Sequence, residues 1–387
     1  MSVFLLCVSV ASAAVFLYLR GRKQATLPYP PGPTPRLFVG NLYDAPKSKP
    51  WKTYYEWSKM YGSGLVHFQV NSQHTVIINT QDLSDRMLEK RARVYSDRPY
   101  IPMADLLGWG RINAGLIRYG DTWRKHRRLY QQGFRPDAVL QYLPIQSSKT
   151  SEFISNLHED PVNFMAHIRT LAAATILATI YGYDISPKND YYVDLAEKAV
   201  GHLSEELGSP AAAIINILPV LRHLPPWLPI FRFQRCAAVC QNLVNQMMEV
   251  PFEYVKSNMR SGTGKPSLLA TFLEHHEANG GDEDQAFVIK GVSATGYGAG
   301  ADTTVVAIET FFLAMGINPD VQKKAQLELD NVIGRGRAPD YEDRPHLPYI
   351  EAVFRETLRW SPSLPMSAFR AAFTDDMIDG YYIPKGE

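Results

Sequence analysis

The chain has 387 residues, of which 45% are hydrophobic and 20% are charged; this is an ordinary globular composition and excludes a disordered chain. Its 40 Lys and Arg residues against 39 Asp and Glu residues leave a net charge of +1, so there is no basic excess to indicate a nucleic acid partner. The three cysteines, Cys7, Cys236 and Cys240, cannot form a disulfide framework, and we expect the bulk of the chain to face a reducing compartment.

The N-terminus begins with an apolar segment. Residues 1–19 carry no charged side chain, and Val3–Leu19 is apolar apart from two serines. As a helix it would be about 26 Å long, which nearly spans the roughly 30 Å hydrocarbon core of a bilayer. Three cations follow directly within residues 20–23, and this placement keeps the downstream chain in the cytosol. We predict a single-pass transmembrane signal anchor over residues 1–20, with a cleaved signal peptide as the alternative.

A proline-rich segment connects this anchor to the rest of the chain. Pro28–Pro35 contains five prolines, which fix φ and remove backbone donors, so the segment is neither a helix nor a central strand. A semi-rigid spacer fits this composition, and a ligand for a proline-binding module is the alternative. We therefore predict a basic, Pro-rich linker over residues 21–36 and a globular domain over residues 37–387.

The globular domain is predicted to be mainly helical with a small β part. Two β-rich runs within Leu65–Asn79 predict a hairpin, and Met377–Pro384 predicts a short strand and turn. The Pro-rich residues 218–229 predict a loop. Hydrophobic periodicity predicts helices over Gln81–Arg93, Thr122–Gln132, Val162–Ile180, Tyr191–Leu207, Gln234–Met259, Pro266–His276, Glu283–Met315, Pro319–Ile333 and Pro348–Trp360.

The longest predicted helix contains an unusual cluster of glycines. Each glycine within a helix costs about 1 kcal/mol relative to alanine, and local violations of this kind are expected at functional sites. Small residues there would let a large flat group approach, and adjacent Asp302 and Thr303 could relay protons. One alternative is a close helix crossing; another, a dinucleotide fingerprint, lacks the strand that must precede it. The cluster comprises Gly291, Gly296, Gly298 and Gly300.

Two further residue pairs have helical spacing. Glu356 and Arg359 lie at i and i+3 of the predicted helix Pro348–Trp360; taken alone this spacing favours an ordinary surface ion pair, and the apolar neighbours suggest a buried pair as the alternative. Trp123 and Arg127 lie at i and i+4, and an indole donor beside a guanidinium suits a carboxylate or phosphate. An ordinary basic helix face is the alternative there.

Taken together, the order of these motifs resembles the eukaryotic microsomal cytochrome P450 family, and within it the fungal monooxygenases of the O-methylsterigmatocystin oxidoreductase type. The resemblance extends over essentially the whole chain and implies a mainly α cytochrome P450 fold. The motifs that convey it are the N-terminal anchor, Pro30-Pro31-Gly32-Pro33, Trp123-x-x-x-Arg127, Ala299-Gly300-Ala301-Asp302-Thr303-Thr304, Glu356-x-x-Arg359 and Asp379-Gly-Tyr-Tyr-Ile-Pro-Lys-Gly386.

The resemblance implies roles for individual residues. Asp302 and Thr303 would act in oxygen activation as catalytic residues. Cofactor-binding roles fall to residues around the heme: Ala299, Gly300 and Ala301 across its distal face, and Trp123, Arg127 and Arg370 toward its propionates. Glu356 and Arg359 would be a structural pair behind the heme. Residues 225–229 would form a substrate-access region that dips into the membrane, and the basic helix around Arg124–Arg128 would meet an acidic reductase.

The same resemblance implies a reaction, cofactors and a location. A heme-thiolate monooxygenase inserts one oxygen atom from O2 into a small lipophilic substrate, here expected in fungal secondary metabolism, with heme b as cofactor and electrons from NADPH through a reductase. The expected location is the endoplasmic reticulum membrane, with a cytosolic catalytic domain. The family's heme-iron cysteine is expected beyond Glu387, so we predict an incomplete C-terminal part of the fold and no metal ligand within the chain. The alternative is a truncated, catalytically silent membrane-anchored fragment.

Overall fold

A computed structural model describes residues 27–387 apart from residues 71–72, 187–188 and 224–231. The anchor predicted over residues 1–20 and the access region predicted over residues 225–229 therefore lie outside the described residues. The chain divides into two compact units. The terminal unit comprises the chain up to Pro99 together with Phe369–Glu387, and the central unit comprises Tyr100–Ala368.

Among its described residues, the terminal unit combines two antiparallel hairpins with three α-helices. In the first hairpin Leu65 pairs with Ile78, which confirms the predicted strands, and in the second Asp376 pairs with Ile383. Both hairpins contribute to one small core, with Leu65, Tyr95 and Ile378 nearly inaccessible. The elements are α1 (Pro50–Tyr61), β1 (Leu65–Val70), β2 (Gln73–Ile78), α2 (Gln81–Ser84), α3 (Ala92–Tyr95), β3 (Asp376–Ile378) and β4 (Tyr381–Ile383).

The prediction of a single helix over Gln81–Arg93 is wrong. The structure has α2, then a π-helical turn over Asp85–Glu89, and then α3. Ion pairs made around the break explain the irregularity. Arg86 binds Asp379 through two contacts of 2.7 Å, and Arg91 binds Asp376 at 2.7 Å. The second hairpin thus holds two arginines that a continuous helix would place differently.

The described residues of the central unit form helices joined by loops, without a β-strand. Side-chain caps begin several helices where the sequence changes to apolar periodicity: Asp190, Ser267 and Asp282 each accept a hydrogen bond from a backbone amide of the first turn. The helices are α4 (Pro102–Leu106), α5 (Asp121–Phe134), α6 (Leu143–Glu159), α7 (Phe164–Tyr181), α8 (Tyr191–Leu207), α9 (Pro210–Ile217), α10 (Arg232–Ser261), α11 (Leu268–Ala278), α12 (Glu283–Ile317), α13 (Pro319–Val332) and α14 (Pro348–Trp360).

The 35-residue helix α12 is the centre of this unit. It packs along α7 and also contacts α5, α10, α11 and α14. Its first half is buried, including Val288, Val292 and Tyr297. By length and composition Pro161–Tyr181 and Glu283–Ile317 could each span a membrane; because they pack against each other within the central unit, we interpret them as core helices.

Candidate active site

An exposed stripe begins where the buried half of α12 ends. Ala299, Asp302, Thr303 and Val306 are exposed, whereas the preceding residues from Val288 to Thr295 are mostly buried. Positions i, i+3, i+4 and i+7 lie on one helix face, so the four side chains form a continuous strip about 10 Å long. A carboxylate and a hydroxyl are thus presented side by side with two small or branched apolar residues.

Hydrogen bonds fix Thr303 within this stripe. Its Oγ1 donates to the carbonyl oxygen of Ala299 at 2.8 Å, and its own carbonyl oxygen accepts from Ser363 Oγ at 3.0 Å. Because a hydroxyl has one donor and two acceptor positions, Thr303 Oγ1 can still accept a hydrogen bond on the exposed side. Ser363 follows α14, so the segment after α14 is tied to the polar turn of α12.

Three of the glycines of α12 face other helices. A Cβ added to Gly300 would lie 2.9 Å from Ile176 of α7, and one added to Gly296 would lie 3.0 Å from Ile180 of the same helix. At Gly298 the nearest atom, on Val200 of α8, would be 3.2 Å away. The close helix crossing therefore explains the small residues at these three positions, and the contact of Gly300 with heme stays a prediction.

Helix α5 presents its predicted anion-binding residues in different environments. Trp123 is half-buried beside Tyr119, with 5.2 Å between ring centroids, whereas Arg127 is exposed. Arg124 pairs with Asp121 at 2.5 Å, and Lys125 pairs with Asp284. Within the described residues Arg127 has no ion pair, so it is the cation on this helix that remains available near Trp123.

Arg370 belongs to the terminal unit, where the structure brings it close to Arg98. The side chain of Arg98 is half-buried, and burial followed by the positive charge of Arg370 lowers its pKa, although Asp97 opposes this. Arg98 Nη1 donates to the carbonyl oxygen of Phe369 at 2.6 Å. The carboxylate of Asp97 shares this region with the two guanidinium groups, and the propionate role of Arg370 stays a prediction.

Arg98 was not predicted as a site residue. The sequence offers little signal for it, because a single arginine in an irregular loop has no periodicity. It meets Arg370 through an isolated β-bridge between Asp97 and Ala371, which are distant in sequence. Only this tertiary pairing identifies Arg98 as part of a cationic pair.

Glu356 and Arg359 form a bidentate ion pair on α14, with contacts of 2.7 and 2.6 Å. Their side chains are 59% and 71% exposed. The burial expected from the neighbouring apolar residues is wrong for this structure, since Phe354 and Leu358 on the same helix are also exposed.

The described cysteines do not suit an iron thiolate. Both lie on α10, where Cys240 is fully buried and Cys236 is half-buried. Burial raises the pKa of the Cys240 thiol to about 11, which disfavours the thiolate that a metal requires. These two thiols therefore do not suit a metal that needs a thiolate ligand, whereas the exposed α12 stripe leaves one helix face open to a ligand.

A cavity of about 410 Å³ also lies in the central unit. It is lined by residues from the first turns of α5 and α12, including Asp121, Lys125, Asp284 and Phe287. Since Trp123, Arg127, Asp302 and Thr303 do not line it, this cavity does not bring the predicted site residues together.

Comparison with known proteins identifies a family and several relatives to which the chain is similar. The family model described as Cytochrome P450 matches residues 30–387. Cytochrome P450 monooxygenase 208 of Postia placenta is 38% identical over 377 residues, covering 97% of this chain and 72% of the relative. Cytochrome P450 monooxygenase COX1 of Coprinopsis cinerea is 37% identical over 366 residues, covering 93% and 70% respectively. For Cytochrome P450 monooxygenase ple1 of Rhodocybe pseudopiperita the identity is 36% over 377 residues, with 97% and 72% covered.

Proposed function

We propose, from the premise that this chain belongs to the cytochrome P450 family of monooxygenases, that it inserts one oxygen atom from O2 into a small lipophilic substrate. The observation that supports this proposal most is the exposed stripe on α12, where Asp302 and Thr303 stand beside Ala299. A buried helix that exposes a carboxylate and a hydroxyl together offers proton donors and acceptors at the edge of an apolar core.

Heme b is the cofactor that the family implies, and when bound it supplies the activation of O2. We propose that Ala299 and Val306 contact the face of the macrocycle and that Trp123 and Arg127 bind a propionate. Thr303 Oγ1, whose own proton is donated to the Ala299 carbonyl, would accept a hydrogen bond on the exposed side and so hold a proton donor in place. Asp302, exposed on the same strip, exchanges protons with solvent. The propionate role of Arg370 remains a prediction.

We propose that neither Cys236 nor Cys240 is the iron ligand. This proposal is supported by the buried, high-pKa thiol of Cys240 and by the position of both described cysteines on α10. The reduced, carbon-monoxide-bound absorbance spectrum of the 387-residue chain tests it. We expect no thiolate-type Soret band, and such a band would assign the ligand to Cys7, Cys236 or Cys240.

Electron delivery and location are also proposals. Exposed Arg128 supports an acidic partner for α5, which we propose is an NADPH-dependent reductase. The uncharged residues 1–19 followed by three cations support a single-pass anchor in the endoplasmic reticulum membrane, with the enzyme facing the cytosol. We propose a substrate from fungal secondary metabolism on the resemblance alone.

The experiment for the monooxygenase function uses microsomes in which the genomic gene is expressed together with a reductase. A panel of small lipophilic compounds is incubated with NADPH and isotopically labelled O2, and products are analysed by mass spectrometry. We expect a product that contains one labelled oxygen atom and that requires NADPH. Two results would contradict the proposal. One is a product whose new oxygen atom comes from water, and the other is the absence of any product in microsomes that are confirmed to contain the holoprotein.

A further inference from the structure

Four tyrosines of the central unit form a cluster of neighbouring rings. Tyr183, which follows α7, has its ring centroid 4.6 Å from that of Tyr192 on α8 and 5.4 Å from that of Tyr254 on α10. The ring centroid of Tyr191 lies 5.7 Å from that of Tyr192. These contacts are edge to face, an arrangement that aromatic pairs prefer. Because Tyr191 is 51% exposed whereas the other three are partly buried, the cluster connects the core of the unit to its surface.

A buried carboxylate is bonded to the central ring of this cluster. The hydroxyl of Tyr183 donates to Asp190 Oδ2 at 2.8 Å, and Asp190 is only 6% exposed. The other oxygen, Oδ1, accepts from the amides of Tyr192 and Val193 at 2.9 and 3.2 Å and so caps α8. Burial, followed by the hydrogen bond to Asp190, raises the pKa of the Tyr183 hydroxyl to about 12. The phenol therefore stays protonated, and its proton faces a fixed acceptor.

This acceptor matters because a phenol that loses an electron also loses its proton. The cation that would otherwise form is an uncompensated charge, which is costly in an apolar core. A carboxylate within hydrogen-bond reach avoids the cation, since the proton moves to the carboxylate as the electron leaves. Within the described residues, the hydroxyls of Tyr192 and Tyr254 make no hydrogen bond to a carboxylate. Tyr183 is therefore the partly buried ring of the cluster that is oxidised most readily.

Further phenols continue from this cluster to α12. Burial raises the pKa of Tyr181, the last residue of α7, and the nearby phenols of Tyr297, Tyr130 and Tyr192 raise it further. Tyr181 and Tyr297 are only 4% and 3% exposed. Tyr297 belongs to α12, where it precedes Asp302 by five residues. Aromatic rings thus lie between the helix that carries the candidate site and the exposed end of the cluster.

We infer that Tyr183 and Asp190 form a redox pair that takes up one-electron oxidising equivalents generated in the central unit, and that Tyr191 passes them to a reductant at the surface. The inference rests on the proposed function, because activated oxygen that fails to react with a substrate is the one-electron oxidant. The pair protects the remaining buried side chains from oxidation.

Electrons and protons balance at each step. Tyr183 gives one electron to the oxidant and its hydroxyl proton to Asp190 Oδ2. It then takes one electron from Tyr191, through the ring of Tyr192, and recovers its proton from Asp190. Tyr191, now oxidised, releases its hydroxyl proton to solvent. A reductant such as ascorbate or a thiol finally supplies one electron and one proton to Tyr191, which restores the starting state.

The test uses the full chain with a ruthenium photo-oxidant in place of activated oxygen. Thr304→Cys receives the label, since this position is exposed on α12 and lies seven residues after Tyr297, or about 10 Å along the helix axis. Cys7→Ser and Cys236→Ser remove two other thiols, and Cys240 is fully buried. After a flash, electron paramagnetic resonance of frozen samples measures the tyrosyl radical, and transient absorbance measures its decay with ascorbate.

We expect a tyrosyl radical whose signal is largely lost in Tyr183→Phe and in Asp190→Asn, because asparagine still caps a helix but does not take up the proton. Tyr341→Phe, at a position that is 51% exposed, is the matched control and should keep the signal. Deuterated solvent should slow formation of the radical in the parent, because the proton moves with the electron. In Tyr191→Phe the radical should form as in the parent but decay more slowly with ascorbate.

An undiminished radical in Tyr183→Phe would overturn the inference, and so would equal decay in the parent and in Tyr191→Phe. If circular dichroism shows that Asp190→Asn does not fold, the solvent isotope effect decides the role of the proton acceptor, and the absence of this effect would overturn the inference. Because the photo-oxidant requires no heme, these outcomes are independent of the labelled-oxygen experiment that tests the proposed function.

Discussion

Ser363 Oγ donates a hydrogen bond to the carbonyl oxygen of Thr303 at 3.0 Å. Thr303 in turn donates from its hydroxyl to the carbonyl oxygen of Ala299 at 2.8 Å. The exposed turn of α12 is therefore held from two directions, and the Thr303 hydroxyl keeps a defined orientation although the side chain is exposed. This geometry is the basis for the first prediction.

We expect Thr303→Ala to lower the amount of product formed per NADPH and to increase the release of hydrogen peroxide, because the oriented hydroxyl oxygen that would hold a proton donor in place is lost. Binding of heme should not change. Thr304→Ala is the matched control, since it removes an exposed hydroxyl from the next residue. Product and peroxide are measured per NADPH consumed in the reconstituted microsomes. An unchanged product yield in Thr303→Ala would refute the role.

A second prediction concerns the close approach of Gly300 to α7. A Cβ at this position would lie 2.9 Å from Ile176, so Gly300→Ala should lower the free energy of unfolding by about 1–3 kcal/mol through overpacking. Gly316→Ala, on the same helix, is the control, because a Cβ added at Gly316 would meet no atom within 4 Å. This change should raise the free energy of unfolding by up to about 1 kcal/mol. Thermal and denaturant unfolding measure both variants.

The packing explanation for Gly300 also predicts the effect of a second substitution, in α7. Ile176→Val removes one of the two atoms that the new methyl would meet, so adding it to Gly300→Ala should restore part of the stability. If the double variant loses as much free energy of unfolding as the two single variants lose together, the packing of α7 does not require the glycine.

A third prediction compares two ion pairs. Arg359→Ala should change the melting temperature little, because Arg359 and Glu356 are both largely exposed. Arg337→Ala should lower it more: Asp343, which Arg337 binds through contacts of 2.6 and 2.5 Å, has a side chain only 12% exposed. Circular dichroism melts of the two variants decide the order. A larger loss for Arg359→Ala would show that its pair is structurally important in spite of its exposure.

The sequence predicts an element of this structure well when the contacts that form the element are local, and poorly when they involve residues far away in the chain. Helices α8 and α14 agree with their predicted bounds because each has a cap or an N-terminal proline and a clear apolar face. Helix α6 was not predicted, and none of its residues is buried, so it has no apolar periodicity to detect. The break within Gln81–Arg93 depends on carboxylates almost 300 residues away, at Asp376 and Asp379.

The candidate site shows the same limit. Asp302 and Thr303 could be identified because polar residues in an apolar helix violate the local pattern. The neighbouring glycines violate it too, but sequence cannot distinguish a glycine that admits a ligand from one that admits another helix, since both require a missing side chain. Arg98 could not be found at all, because its partner Arg370 is brought to it only by the fold.

A fourth prediction is a dependence of stability on pH from the pair His67 and His74, whose ring nitrogens are 2.9 Å apart. Burial and His74 lower the pKa of His67 to about 4, whereas an unfolded histidine titrates near ~6.5. The unfolded chain therefore binds more protons between these values, and stability is lost as pH falls from about 6.5 to about 4. We expect a contribution of about 2 kcal/mol after allowance for partial exposure.

Glu387 acts in the opposite direction, because burial raises its pKa from 4.5 to about 7. The stability that it contributes is therefore lost as the pH rises between these two values. His67→Asn isolates the histidine. Denaturant unfolding at pH 7 and at pH 5 should show a smaller decrease for this variant than for the parent. Equal decreases would show that His67 is readily protonated in the folded protein.

The central claim is that heme lies against the exposed stripe of α12, and absorbance titration of the purified chain with hemin tests it most directly. Ala299→Phe places a ring on the stripe, and Val239→Phe places the same ring at an exposed position on α10. We predict saturable hemin binding that Ala299→Phe weakens by at least about tenfold, a loss of roughly 1.4 kcal/mol, and that Val239→Phe leaves unchanged. Equal hemin affinity in the parent and in Ala299→Phe would contradict the account.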